Sequence, residues 1–199
     1  VQTAWSLDNN TNKLIETMGL ACETEAYDPM EKAMLAYCEH NGFSKALLFG
    51  GRFIMEYAFT NELKMMGHIW QYKDAITIAA KGSPESILSI CQLTAEARET
   101  VESKIAELSN QGLRVIAVGT MNPPTESDIP KALTDCQLTL CGLIGLADPP
   151  RASVKKDIQD CLDAGIRVVM ITGDNGTTAS AIAKQVGILN ADQIMTGAA

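Results

Sequence analysis

Asn122-Pro123-Pro124-Thr125-Glu126-Ser127-Asp128-Ile129-Pro130 is the stretch that organises this chain of 199 residues. Its prolines fix the backbone and remove donors, so the segment must run as an extended loop, and the chain has a different texture on each side of it. Beyond it, Leu138 to Ala147 reads as an apolar strand. A helix follows with Val154, Ile158, Cys161 and Leu162 at helical spacing, stopped by Gly165. Ile166 to Ile171 reads as a second buried strand. A further helix carries Ala179, Ile182, Ala183 and Val186 on one face and stops at Gly187. Strand, helix, strand, helix predicts a parallel α/β unit with a right-handed crossover.

Before the loop the pattern is that of an α+β domain with an antiparallel sheet. Phe53, Met55, Tyr57 and Phe59 alternate on one strand face, Ala75 to Lys81 and Leu113 to Gly119 are further strands, and Ala97, Val101, Ile105 and Leu108 line a helix between the last two. Asp28-Pro29-Met30-Glu31 opens a helix with a capping aspartate, a proline at the first position and a glutamate placed to complete a capping box. Ser83-Pro84-Glu85 opens another in the same way. The expected division is a domain over residues 1–137 and part of a second, α/β domain over 138–199.

Composition narrows the function. A formal charge of −8, with 46% hydrophobic and 20% charged residues, describes a folded globular chain without the basic footprint that nucleic acid or anionic lipid requires. No apolar run approaches the ~20 residues of a membrane helix, and the opening Val1, without a signal peptide, points to a piece of a longer protein. The six cysteines lack Cys-x-x-Cys spacing and have only His40 and His68 as imidazole companions, so no metal site is expected from them. Most sit in apolar patterns, as buried free thiols of a reducing compartment do.

Thr172-Gly173-Asp174-Asn175 falls where the second predicted strand of the α/β unit runs into a helix, the position at which such sheets place ligands. A glycine admits close backbone approach to an oxyanion, the threonine offers a hydroxyl, and the aspartate could serve Mg²⁺ or a ribose. An ordinary capped turn explains the same four residues equally well. On the N-terminal side, Lys81 ends a strand and is followed by Gly82 and a capped helix, so its amine is placed to meet a phosphate or a purine nitrogen. Phe59 could stack on a base or simply fill the core. Arg114 stands in a strand of apolar neighbours and should need a carboxylate or phosphate partner. A dinucleotide fold is excluded, since no Gly-x-Gly-x-x-Gly follows a strand.

In order and spacing the sequence resembles the cytoplasmic region of P-type ATPases, most closely the type II cation pumps that include the calcium ATPases. The likeness rests on Asp28-Pro29-Met30-Glu31, Phe59 with Lys64, Lys81-Gly82-Ser83-Pro84-Glu85, Gly112-Leu113-Arg114-Val115, Asp148-Pro149-Pro150-Arg151 and Met170-Ile171-Thr172-Gly173-Asp174-Asn175. It implies that Phe59 stacks on adenine, that Lys81 and Gly82 line the adenine end of the pocket, that Glu31 and Lys64 contact the nucleotide, and that Arg114 approaches its phosphates. It implies too that Thr172, Gly173 and Asp174 face the phosphoryl group in a haloacid-dehalogenase-like phosphorylation domain, with Asp148, Pro149, Pro150 and Arg151 near the hinge. Ser83 stands where the family commonly has alanine, and Asn61 where many calcium pumps have arginine.

On this likeness the phosphorylated aspartate lies just upstream of Val1 and the magnesium carboxylates beyond Ala199. The expected activity is therefore binding of ATP without turnover, at the cytoplasmic face of a membrane, with Mg²⁺ and the rest of the same polypeptide as partners in an intact pump. Two other readings stay open: a dehalogenase-like phosphatase with a large cap, and an interaction module that has lost nucleotide binding.

Overall fold

The alternating and apolar runs pair into one sheet. The computed structural model describes residues 1–195. Its strands are β1 (Thr3–Trp5), β2 (Arg52–Tyr57), β3 (Met65–Tyr72), β4 (Ala75–Gly82), β5 (Arg114–Met121) and β6 (Thr139–Leu146), in the spatial order β1-β6-β5-β4-β3-β2. The β1–β6, β2–β3, β3–β4 and β4–β5 pairs are antiparallel. Helices α1 (Thr11–Leu20), α2 (Pro29–His40) and α3 (Lys45–Leu48) precede β2, while α4 (Pro84–Ser89) and α5 (Ala95–Asn110) connect β4 to β5. The expected α+β domain with an antiparallel sheet is present.

The core explains which helices sit where. Leu14 and Met18 of α1 and Met34 and Cys38 of α2 pack with Trp70 of β3 and Val118 of β5, all buried. Asp28 caps α2 as expected, its Oδ1 accepting from the Met30 and Glu31 amides at 2.6 and 3.3 Å. Ser83 caps α4 by accepting from the Ser86 amide at 3.3 Å.

Three expectations change. Phe53 does not share a face with Met55 and Tyr57: a bulge between Phe53 and Met55 inserts one residue, so Phe53 faces Trp70 and Met55 faces Ile69. Phe59 lies past the end of β2, in the β2–β3 loop. The third change concerns the α/β unit. Its first expected strand is β6, which instead pairs antiparallel with β1 and sits beside β5 in the six-stranded sheet. An apolar run specifies burial but not its partner, and here one partner, β1, is a strand far away in sequence. Residues 138–146 therefore belong with the N-terminal sheet, and the boundary expected at residue 137 moves past Leu146.

The described residues divide into two units, one made of Val1–Val101 with Val115–Leu146, the other of Glu102–Arg114 with the chain from Ala147. The second unit contains α6 (Val154–Asp163) and α7 (Gly176–Val186). Both stop near the expected glycines, Gly165 at φ +76° and Gly187 at φ +89°, a left-handed backbone that glycine adopts without a Cβ penalty. Ile166 to Ile171, expected as a buried strand, forms none: Ile166, Val169 and Ile171 are exposed, Ile171 by 94%. A strand exists only by pairing, and among the described residues nothing pairs with this segment.

Candidate functional site

Lys81 is the penultimate residue of β4, and the sheet holds it on the face covered by α1 and α2. It is 3% exposed. Removing an ammonium group from water costs several kcal/mol unless partners replace the solvent. Here Nζ donates to the Ala21 carbonyl oxygen, pairs with Glu31 Oε1 at 2.6 Å, and touches Met66 Sδ at 3.2 Å. Glu31 is itself 6% exposed. Its other oxygen accepts from the Glu23 amide at 3.4 Å. The carboxylate thus does not turn back to the start of its own helix, as the expected capping box requires, but forward to the lysine: a desolvated cation outcompetes a helix-end amide for it.

Phe59, Lys64 and Gly82 stand at the same end of the sheet. Phe59 is 54% exposed, an aromatic ring left in solvent where core packing was one reading. Lys64 has φ +51°, unfavourable for a residue with a Cβ. The loop is held in this form because the Lys64 amide donates to the Thr60 carbonyl at 2.8 Å and the Lys64 carbonyl accepts from the Ser83 amide at 2.9 Å. Gly82 pairs with Met65, and a Cβ on it would stand 2.6 Å from the Lys64 carbonyl oxygen. Glycine is therefore required there by close packing of the backbone.

The second unit gathers a different set. Arg114, at the start of β5, pairs through Nη2 with Asp174 Oδ1, and its Nε donates to the same oxygen at 2.8 Å. The expected need for an anionic partner is met by this carboxylate. Thr172 Oγ1 accepts from the Asp174 amide at 3.0 Å and donates to Asp174 Oδ2 at 3.2 Å, which closes the Thr172-Gly173-Asp174 turn. Asn175 caps α7 by accepting from the Thr177 amide at 2.9 Å. Asp148, Pro149, Pro150 and Arg151 form irregular chain between β6 and α6.

Some polar features were not legible as a group in the sequence. His68 of β3 lies directly opposite Glu56 of β2, and Glu23 reaches them from the α1–α2 connection. Burial is the largest influence on His68 and lowers its pKa, the Lys81 charge acts the same way, and Glu56, Glu31 and the Leu20 backbone oppose them. Elsewhere, a polar cavity of about 470 Å³ opens between α1 and the sheet, lined by Lys13, Glu16, Tyr72, Thr120 and Asn122 among others. None of the expected nucleotide-binding residues lines it.

Residues 9–153 match the family described as P-type ATPase, cytoplasmic domain N. The chain is 34% identical over 183 residues to calcium-transporting ATPase 1 of Lactococcus lactis, covering 85% of the chain and 21% of the relative. It is 35% identical over 184 residues to a calcium-transporting ATPase of Bacillus subtilis, covering 85% of the chain and 21% of that protein. It is 34% identical over 173 residues to the sodium/potassium exporting P-type ATPase cta3 of Schizosaccharomyces pombe, covering 81% of the chain and 17% of that protein. The chain thus spans about a fifth of the length of the curated relatives it matches. No helix among the described residues is long and apolar enough to cross a membrane.

Proposed function

Because this chain belongs to the family of P-type ATPase cytoplasmic N domains, we propose that it binds ATP at the Lys81 end of its sheet and positions the nucleotide for transfer of the γ-phosphate to an aspartate outside residues 1–199. The observation that carries the reading is the buried Lys81–Glu31 pair at 2.6 Å beside a loop that presents an exposed aromatic ring. A buried ion pair contributes little to stability compared with apolar residues of the same volume, so we read the pair as part of the pocket wall. Phe59 stacks on the adenine, Lys81 lines the adenine end of the pocket with its amine held by Ala21, Glu31 and Met66, Glu31 and Lys64 contact the nucleotide, and Arg114 approaches its phosphates. The strained backbone at Lys64 fits this role, since functional loops are where such conformations are kept.

In this reading Thr172, Gly173 and Asp174 face the phosphoryl group, and Asp148 to Arg151 serve as a hinge. The parent is a cation pump at the cytoplasmic face of a membrane, with a calcium pump favoured by the names of two of the three relatives and sodium/potassium export by the third. Mg²⁺ prefers octahedral oxygen ligands. Asp174 offers a carboxylate already engaged by Arg114, and no metal-competent group of three side chains gathers around it among the described residues. The residues described do not by themselves make a magnesium site, and the ion would arrive with the nucleotide.

Calorimetric titration with ATP tests the proposal. Saturable binding is expected, and Phe59→Ala should weaken it by the ~1 to 3 kcal/mol of one base stack, about 5-fold to 150-fold. Phe59 is exposed, so this change leaves the core intact. ATP affinity that is absent, or identical in the variant, would remove the pocket assignment and favour an interaction module.

A further inference from the structure

We propose that Glu23, Glu56 and His68 form a binding site for a divalent transition-metal ion of the zinc type on the helix-covered face of the sheet. One ligand atom from each residue lies within 4.8 Å of the other two, and His68 Nε2 stands 3.7 Å from Glu23 Oε1. Zinc with bonds of about 2.0 to 2.2 Å in tetrahedral geometry holds its ligand atoms about 3.4 Å apart. Closing the triangle by an ångström or so needs only rotation of the exposed Glu56 and the half-buried Glu23.

The independent sign is the imidazole. His68 is 2% exposed, and neither ring nitrogen makes a hydrogen bond of good geometry among the described residues, although the Leu20 backbone acts on the ring in the sense that raises its pKa. An unsatisfied buried polar group costs about 1 to 3 kcal/mol and calls for a specific explanation. A metal supplies one for the nitrogen that carries the lone pair, which a hydrogen-bond acceptor such as a carboxylate cannot use, and leaves the other nitrogen as an N–H donor.

The ring is also held ready. The ladder sets His68 opposite Glu56, and Phe53 meets the imidazole edge-on with centroids 5.6 Å apart at 86°. The bulge that turns Phe53 to this face is what makes that contact. Charge favours a cation: Glu23 and Glu56 stand at the site, and the nearby Lys81 is already paired with Glu31. One imidazole with two carboxylates suits zinc, manganese or iron(II) more than magnesium, which seeks oxygen alone. Water would complete the coordination.

The site does not depend on the nucleotide reading, and its test contains no nucleotide. Metal-free protein is titrated with ZnCl₂ by calorimetry, and with Co²⁺ by visible absorption to identify the ligands. One equivalent is expected to bind, with a cobalt spectrum of nitrogen and oxygen ligation. Glu56→Gln, at an exposed position that leaves the core untouched, should weaken binding by more than about tenfold, and His68→Gln should do the same. MgCl₂ should give no comparable heat. The proposal is overturned if zinc does not bind, if Glu56→Gln binds as tightly as the parent sequence, or if the cobalt spectrum shows thiolate charge transfer, which would place the metal on cysteines.

Discussion

Lys81 and Glu31 each break the rule that charge stays in water, and each is tolerated only because of the other. Removal of one member leaves an uncompensated buried charge, with a cost of about 3 to 5 kcal/mol, whereas replacing both by apolar side chains of similar volume can be neutral. Glu31→Leu alone should therefore lower stability by several kcal/mol, and Lys81→Met added to it should restore most of the loss, as read from urea denaturation. Lack of recovery in the double variant would show that the two do not act as a pair. The cysteines make a second test at this scale. Burial pushes Cys22, Cys38 and Cys91 up to about 12, and raises Cys136 and Cys141 in the same direction. The thiolate is the reactive form, so at neutral pH these five should be silent to an aromatic disulfide reagent in the folded protein. Cys161, half-exposed on α6, should react first, and all six only in denaturant.

Among the elements, the helix ends are the parts that behave as local chemistry dictates. Asp28 donates no proton to its helix but accepts from two of the first amides, and Asp28→Ala should cost about 1 kcal/mol in the same denaturation measurement. The end of β4 depends instead on a neighbour. With a Cβ at Gly82 only 2.5 Å from Met65 Cβ and 2.6 Å from the Lys64 carbonyl oxygen, Gly82→Ala must push the β2–β3 loop away. A loss of about 1 to 3 kcal/mol is expected, the range for overpacking, together with weaker ATP binding as Lys64 moves. An alanine variant of undiminished stability would show that the loop yields freely. Elements also show where periodicity misleads: alternation placed Phe53 with Met55, and one bulged residue reversed it.

Across the whole molecule, protection should be uneven. The β3, β4 and β5 ladders lie inside the sheet and are covered by buried side chains, so their amides should exchange slowest, while the unpaired, exposed segment 166–171 should exchange within the shortest labelling times by mass spectrometry. Slow exchange there would mean that it is paired after all. Much of the fold was legible in advance because its causes are short-ranged. The caps at Asp28 and Ser83, the stops at Gly165 and Gly187, and the strands at Ala75 and Arg114 follow from neighbours within one turn or one ladder step. The resemblance to P-type pumps was legible for a similar reason, resting on short blocks read in order. Only the tertiary structure decided that β6 pairs with β1, that Glu31 turns toward Lys81, that Arg114 finds Asp174, and that Glu23, Glu56 and His68 converge. Each of these joins groups separated by many residues, and a partner at that distance is chosen by which buried surfaces and charges the completed sheet brings within reach.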